Sequence, residues 1–203
     1  MLIFSYNMFR VTFYFFLILF FCFSPVSSKT IVDVISENKN LSIFKSYLEK
    51  TGIENILNKK LPWNWTVFAP SNDAFKNATP KLKKEILDDD FFIKSILMDH
   101  IMTGHQTSLD VDENISTQIT VSNKPLEIYK RKKLYVKDMV VIKEDLIGEN
   151  GVVHIIDCIM FVQFSNEDSR VPQDLQKDFP ITSCCMRDSE EIESFKKNTK
   201  IKY

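Results

Sequence analysis

The sequence predicts an α+β fold, and three observations carry that prediction. Apolar residues recur at helical spacing up to about His100, then change to a period of two from Ile115 onward. The set closes on two nearly continuous apolar runs, Val152–Ile156 and Ile159–Val162, the pattern of strands covered on both faces. Helices first and strands afterwards argue for segregated packing, not for alternating βαβ units. With 203 residues, 44% of them apolar and 26% charged, the chain is long enough for one cored domain with appendages. A formal net charge of −1 leaves no electrostatic footprint for a nucleic-acid partner.

The N-terminus reads as a targeting segment. Arg10 is its only charge, and Val11–Phe23 is an apolar run too short for the roughly 20 residues a membrane span needs. Small residues follow at Pro25–Ser28. Residues 1–28 are therefore expected to be a secretory signal peptide cut after Ser28, with an uncleaved signal anchor as the alternative. The mature chain is expected to be secreted. Cys22 leaves with the signal, so Cys158, Cys184 and Cys185 remain as disulfide candidates. An odd number predicts either a tether between residue 158 and the tail or a disulfide-linked dimer. The spacing matches no zinc pattern. Four sequons begin at Asn40, Asn64, Asn77 and Asn114, candidate glycosylation sites on a secretory route.

In chain order, Ile31–Ile35 opens as a short helix. A second follows Asn40, with Leu41, Phe44, Tyr47 and Leu48 on one face and Gly52 as its stop. Ile53, Ile56 and Leu57 make a third short turn, and Trp63 and Trp65 are expected to be lids on the core. Thr66–Ala69 reads as a buried strand with Phe68 inside it, stopped by Pro70, which can neither donate to a ladder nor let Ala69 turn helical. Ser71 is an N-cap candidate, Asp73 suits the positive end of a helix dipole, and Ala74 and Phe75 begin an apolar face. Thr79–Pro80 repeats the cap, and Asp88–Asp90 is explained by the next helix start better than by a metal. Ile93, Ile96, Leu97 and His100 share one stripe, which makes His100 a core histidine. Strands are expected over Gln118–Val121, Leu126–Tyr129, Leu134–Val136 and Val140–Ile142. Residues 165–203 are polar, a tail with a short helix near Ser189–Lys197.

Nothing here resembles an active site, and neither an enzyme nor a cofactor is expected. There is no phosphate loop or nucleophile elbow, and the chain's histidines are His100, His105 and His154. Asp157, in an apolar strand, is expected to be buried and to accept hydrogen bonds that lock the motif, from the Ser71–Asp73 turn. Lys130, Arg131, Lys132 and Lys133 sit between two strands as a hairpin tip. That tip reads as a solvated turn or as a site for sulfated glycans or an anionic membrane surface.

Two strings carry a family resemblance. Thr66–Phe75, TVFAPSNDAF, resembles the first conserved motif of the fasciclin-like (FAS1) domain. Asn150–Asp157, NGVVHIID, with Gly151 and His154 inside it, is similar to the second. Between them, Ile96–His100 aligns with the family's central helix, Asp99 standing where tyrosine is usual and His100 being kept. The resemblance spans about residues 30–163. It implies a wedge of two β-sheets with helices along one side, in a secreted or surface-attached protein that adheres to a cell-surface or matrix protein. It also implies partner-binding residues, at Asp145 and Leu146, where the family has an Asp-Ile pair, and at Asp99 and His100. The alternative is a secreted module that binds a lipid or small ligand in the cleft between helices and sheets.

Overall fold

The computed structural model describes residues 28–137 and 139–160, together with Ser189, Ile192, Glu193, Lys196 and Lys197. The signal segment, Cys184 and Cys185 lie outside the described residues. Helix α1, Ile31–Glu37, starts at a reciprocal cap: the Thr30 hydroxyl accepts from the Asp33 N–H, and the Asp33 carboxylate accepts from the Thr30 N–H. After a 3₁₀ turn, Lys39–Leu41, comes α2, Ser42–Thr51. Gly52, at φ 72°, ends it in the left-handed region that glycine enters without a Cβ penalty. Helix α3 is Ile53–Leu57, where Ile53 and Leu57 are buried and Ile56 is exposed. Asn40 lies inside the 3₁₀ turn and stays exposed, and Asn38 caps that turn, its side chain accepting from the Asn40 N–H at 3.0 Å, while α2 itself starts from Leu41 without a side-chain cap.

The proline and cap signals act as expected. Strand β1, Trp65–Pro70, gives way to α4, Asn72–Lys76, with the Ser71 hydroxyl accepting from the Ala74 N–H. Thr79 caps α5, Pro80–Leu82, which runs into one π turn, Lys83–Leu87. Asp89 caps α6, Asp90–Asp99, by accepting from the Phe91 and Phe92 N–H groups. The remaining strands are β2 (Ile101–Thr103), β3 (Ser116–Ile119), β4 (Pro125–Lys130), β5 (Leu134–Val136), β6 (Met139–Gly148) and β7 (Gly151–Ile156).

The seven strands run in the order β2-β1-β7-β6-β5-β4-β3, antiparallel except for the parallel pair β1–β7. A bridge from Met102 to Thr120 brings the two ends of that order together, so the sheet is nearly closed. Two register shifts in β6, between Val141 and Lys143 and between Lys143 and Leu146, bend it and divide the sheet into the two sides of a wedge.

Two apolar clusters follow from this layering. Val67 and Ala69 of β1 and Val153 and Ile155 of β7 face the helices, meeting Phe44, Leu48, Ile93 and Ile96. Phe68 and Ile156 point the other way, into the wedge with Met102, Leu126, Ile128, Val136 and Val141. β1 and β7 are therefore covered on both faces, which is why their sequences show no alternation. Asn150 pins the turn before β7: its side chain accepts from the Ile31 N–H at 2.9 Å and donates to the Leu57 carbonyl at 2.7 Å. Gly151 has no room for a side chain, since a Cβ there would lie 2.2 Å from the Trp65 carbonyl oxygen.

Several expectations need correction. Asp157 lies past the end of β7 and is exposed. The junction it was expected to lock is closed by backbone instead, the Ser71 N–H donating to the Ile156 carbonyl at 2.8 Å. Trp65 is a buried lid, but Trp63 is 46% exposed and meets Trp65 only edge-on. Strand β6 runs well past Ile142. The tail is not uniformly polar surface: its five described residues are helical, and Ile192 has no exposed surface in the helix-side cluster. Ion pairs Lys81–Glu193 at 3.0 Å and Lys196–Glu85 at 2.8 Å flank it.

Candidate interaction surface

Asp145 sits in the β6 irregularity with φ 58°, a conformation aspartate tolerates better than branched residues. Its carboxylate accepts from the Ser108 N–H at 2.8 Å and the Ser108 hydroxyl at 2.6 Å. Its own N–H donates to His154 Nδ1 at 3.3 Å, which leaves the His154 proton on Nε2, donating to the Gln106 carbonyl at 2.9 Å. His154 is fully buried and stacks on Phe68, and that burial pushes its imidazole below the usual histidine range. One histidine thus ties β7 to the β6 irregularity and to the loop after β2. The Asp145 side chain keeps 30% of its surface exposed, and Leu146 is half-buried against the helix-side core.

The loop held by Asp145 is stiff. The Thr107 N–H and hydroxyl both donate to the Asp110 carboxylate, at 2.8 and 2.6 Å, and the Asp110 N–H returns to the Thr107 carbonyl at 3.1 Å. These bonds from Thr107 lower the Asp110 pKa. Lys130 holds the same loop from β4. Its Nζ donates to the Ser108 carbonyl at 2.6 Å, and its N–H to the Asp112 carbonyl at 2.7 Å. At the crest, Leu109 is 88% exposed.

The hairpin tip therefore has three free cations in place of four. Arg131 lies 5.4 Å over the Tyr129 ring, which stacks in parallel on Tyr135 at 5.1 Å, while Lys132 and Lys133 are exposed. Among the described residues, no carboxylate pairs with Arg131, Lys132 or Lys133.

Asp99 and His100, expected at a partner contact, lie inside the protein with 0% and 1% of their surface exposed. The Asp99 carboxylate is paired with Lys124 Nζ at 2.8 Å and accepts from the Ser122 hydroxyl, both partners also buried. This joins the end of α6 to the β3–β4 hairpin. His100 donates from Nδ1 to the Ile96 carbonyl at 2.7 Å and accepts at Nε2 from the Met160 N–H at 2.9 Å. Burial lowers its pKa to about 4. A satisfied core histidine is what the helical stripe implied. Neither residue has surface to offer a partner.

The four sequon asparagines, Asn40, Asn64, Asn77 and Asn114, are all exposed. Cys158 is half-buried at the end of the last described strand. Among the described residues, no group of three His, Cys, Asp or Glu side chains could hold a metal ion. Nor, among them, is any helix long and apolar enough to cross a membrane.

The fasciclin domain model matches residues 39–162. The chain belongs to the fasciclin domain family. It is 25% identical to human periostin over 138 residues, which is 66% of this chain and 16% of periostin. It is 28% identical to mouse stabilin-2 over 131 residues, 64% of this chain and 5% of stabilin-2. The chain thus spans a small share of these two relatives. It covers 97% of the Synechocystis protein sll1735, at 26% identity over 132 residues. Among solved structures, a FAS1 domain pair from the insect cell adhesion molecule Fasciclin I matches 70% of this chain and 53% of its own, with TM-score 0.51 and 23% identity. The nearly closed wedge with helices on one side is the FAS1 fold.

Ser108, Leu109, Ser122 and Lys124 carried no signal in the sequence reading. Thr107–Asp110 has the form of a side-chain-capped turn, and that local pattern was the one clue available.

Proposed function

We propose that this FAS1 domain acts outside the cell, in adhesion or protein–protein contact, through a surface around Asp145 and Leu146. Family membership is the observation that carries the reading, and a FAS1 pair from an insect cell adhesion molecule shares the fold. The partner is a cell-surface or matrix protein, and the chain reaches it by secretion, with glycans on its exposed sequons. Cys158 pairs with Cys184 or Cys185, or with another chain; migration on gels with and without reductant separates these outcomes. The main test coats plates with the secreted protein and counts attached fibroblasts. Asp145→Ala is expected to abolish attachment, and attachment equal to the parent would remove this site from the reading.

A second reading rests on the hairpin tip. Arg131, stacked on Tyr129, presents its guanidinium in a fixed place beside Lys132 and Lys133, an arrangement suited to sulfated glycans or anionic headgroups. Retention on heparin at physiological salt should fall when Arg131, Lys132 and Lys133 are changed to Ser. Unchanged retention rules it out.

A further inference from the structure

We infer that the Thr107–Asp110 turn is the point where a protein partner docks, Leu109 entering an apolar recess whose rim carries positive charge. The inference rests on the adhesion reading and deepens it, naming the contact and the chemistry of what fits it.

Single exposed leucines are common on soluble proteins and by themselves mean little. Leu109 differs in degree and in mounting. At 88% exposed it is the most exposed large apolar side chain among the described residues. It also stands on a backbone held from three directions. Asp145 takes both the N–H and the hydroxyl of Ser108, Lys130 takes the Ser108 carbonyl, and Asp110 closes the turn onto Thr107. The Leu109 N–H itself donates to the Thr107 hydroxyl at 3.3 Å. A partner therefore meets an apolar knob already fixed in position, without the ordering cost that a mobile loop would add to binding.

The surroundings state the partner's charge. Asp110, Asp112 and Glu113 are all exposed on the same loop, and the Thr107 bonds hold Asp110 ionised. Three carboxylates following Leu109 in the loop favour a partner with positive charge on that side of its apolar recess, Lys130 being engaged on the Ser108 carbonyl. Ile115, 63% exposed just beyond the Asp112 turn, adds apolar surface to the same loop. The geometry also accounts for the Asp145 position. Only part of that carboxylate faces solvent, and its hydrogen bonds are spent on Ser108, so its effect on adhesion passes through the turn it supports.

The test uses full-length secreted protein coated on plates, with fibroblast attachment and melting temperature read side by side. Leu109→Ser is expected to cut attachment roughly tenfold at unchanged melting temperature, as loss of a central apolar anchor does. Leu109→Met should retain most of it, and Glu113→Gln should weaken it a few-fold. A cyclised peptide carrying residues 106–112 should compete for attachment. If Leu109→Ser attaches as well as the parent while Asp145→Ala does not, the inference fails and the adhesion reading stands. If the parent protein attaches no cells above an albumin-coated surface, both fall.

Discussion

The β1–β7 seam and the end of the molecule carrying the 106–115 loop and the 130–133 hairpin tip are held together by different physics. In the seam, two parallel strands are buried on both faces, with Gly151 against the Trp65 carbonyl and Asn150 bridging to Ile31 and Leu57. Gly151 has no room for a side chain there, and Asn150 uses both its donor and its acceptor. At the loop end, order comes from side chains bonding to backbone, as Asp145 and Lys130 do to Ser108, while the residues between those anchors face water. The difference teaches where to look for each role. The motif strings that identify the family are framework, and the surface they support is where contact chemistry has freedom to vary.

The sharpest way to break that division is at Gly151. Gly151→Ala would set a methyl against backbone that cannot withdraw, so we expect a loss on the order of 4 kcal/mol or more, measured by chemical denaturation, with little folded protein recovered. A variant as stable as the parent would mean that the seam is looser than its packing implies. Next in size is the buried pair. Lys124→Met takes away the ammonium partner of the buried Asp99 carboxylate and should cost about 3–5 kcal/mol, whereas the double variant with Asp99→Leu should regain most of it.

The third effect is set by pH. The His100 value is lowered from 6.5 to about 4 by burial. As pH falls, the unfolded chain therefore takes up this proton before the folded one does. Stability is complete above about pH 6.5 and declines as pH falls toward about 4, by roughly 3 kcal/mol over the whole interval. Protonation would also place a second N–H at Nε2, facing the Met160 N–H. His154, lowered in the same direction, adds to the slope. Melting curves between pH 7 and 5 should show the decline, and His100→Gln should flatten it. The smallest effect belongs to the surface: Lys132→Ser with Lys133→Ser should leave stability within about 0.5 kcal/mol. A larger change would mean that the tip has a structural job.

How much of this was legible in the sequence follows the same division. Ser71, Thr79 and Gly52 announced their helix ends because capping is a local matter of one side chain and its neighbouring N–H groups. His100 was legible as core because it keeps the spacing of Ile93, Ile96 and Leu97. β6 was read too short because the irregularity around Asp145 breaks the alternation that marks a strand. Asp157 was misplaced inside a strand because its position between two apolar runs does not say that the backbone has already turned outward. The Asp99–Lys124 pair could not be read at all. Its members belong to different elements, and each charge taken alone looks like surface. Leu109 was hidden for the opposite reason, being an apolar residue among polar neighbours in a loop whose rigidity depends on Asp145 and Lys130 from elsewhere in the chain.

The parallel register that sets Trp65 beside Gly151 also bears on how the protein is made. Translation delivers β1 long before β7, and no earlier segment can take the place of β7 along that edge. Until β7 has been made, β1 has β2 on one side and on the other an edge of unpaired backbone N–H and C=O groups flanked by mostly apolar side chains, a template for pairing with other chains. A transcript truncated anywhere before the second motif would therefore yield an aggregation-prone product and not a smaller working domain.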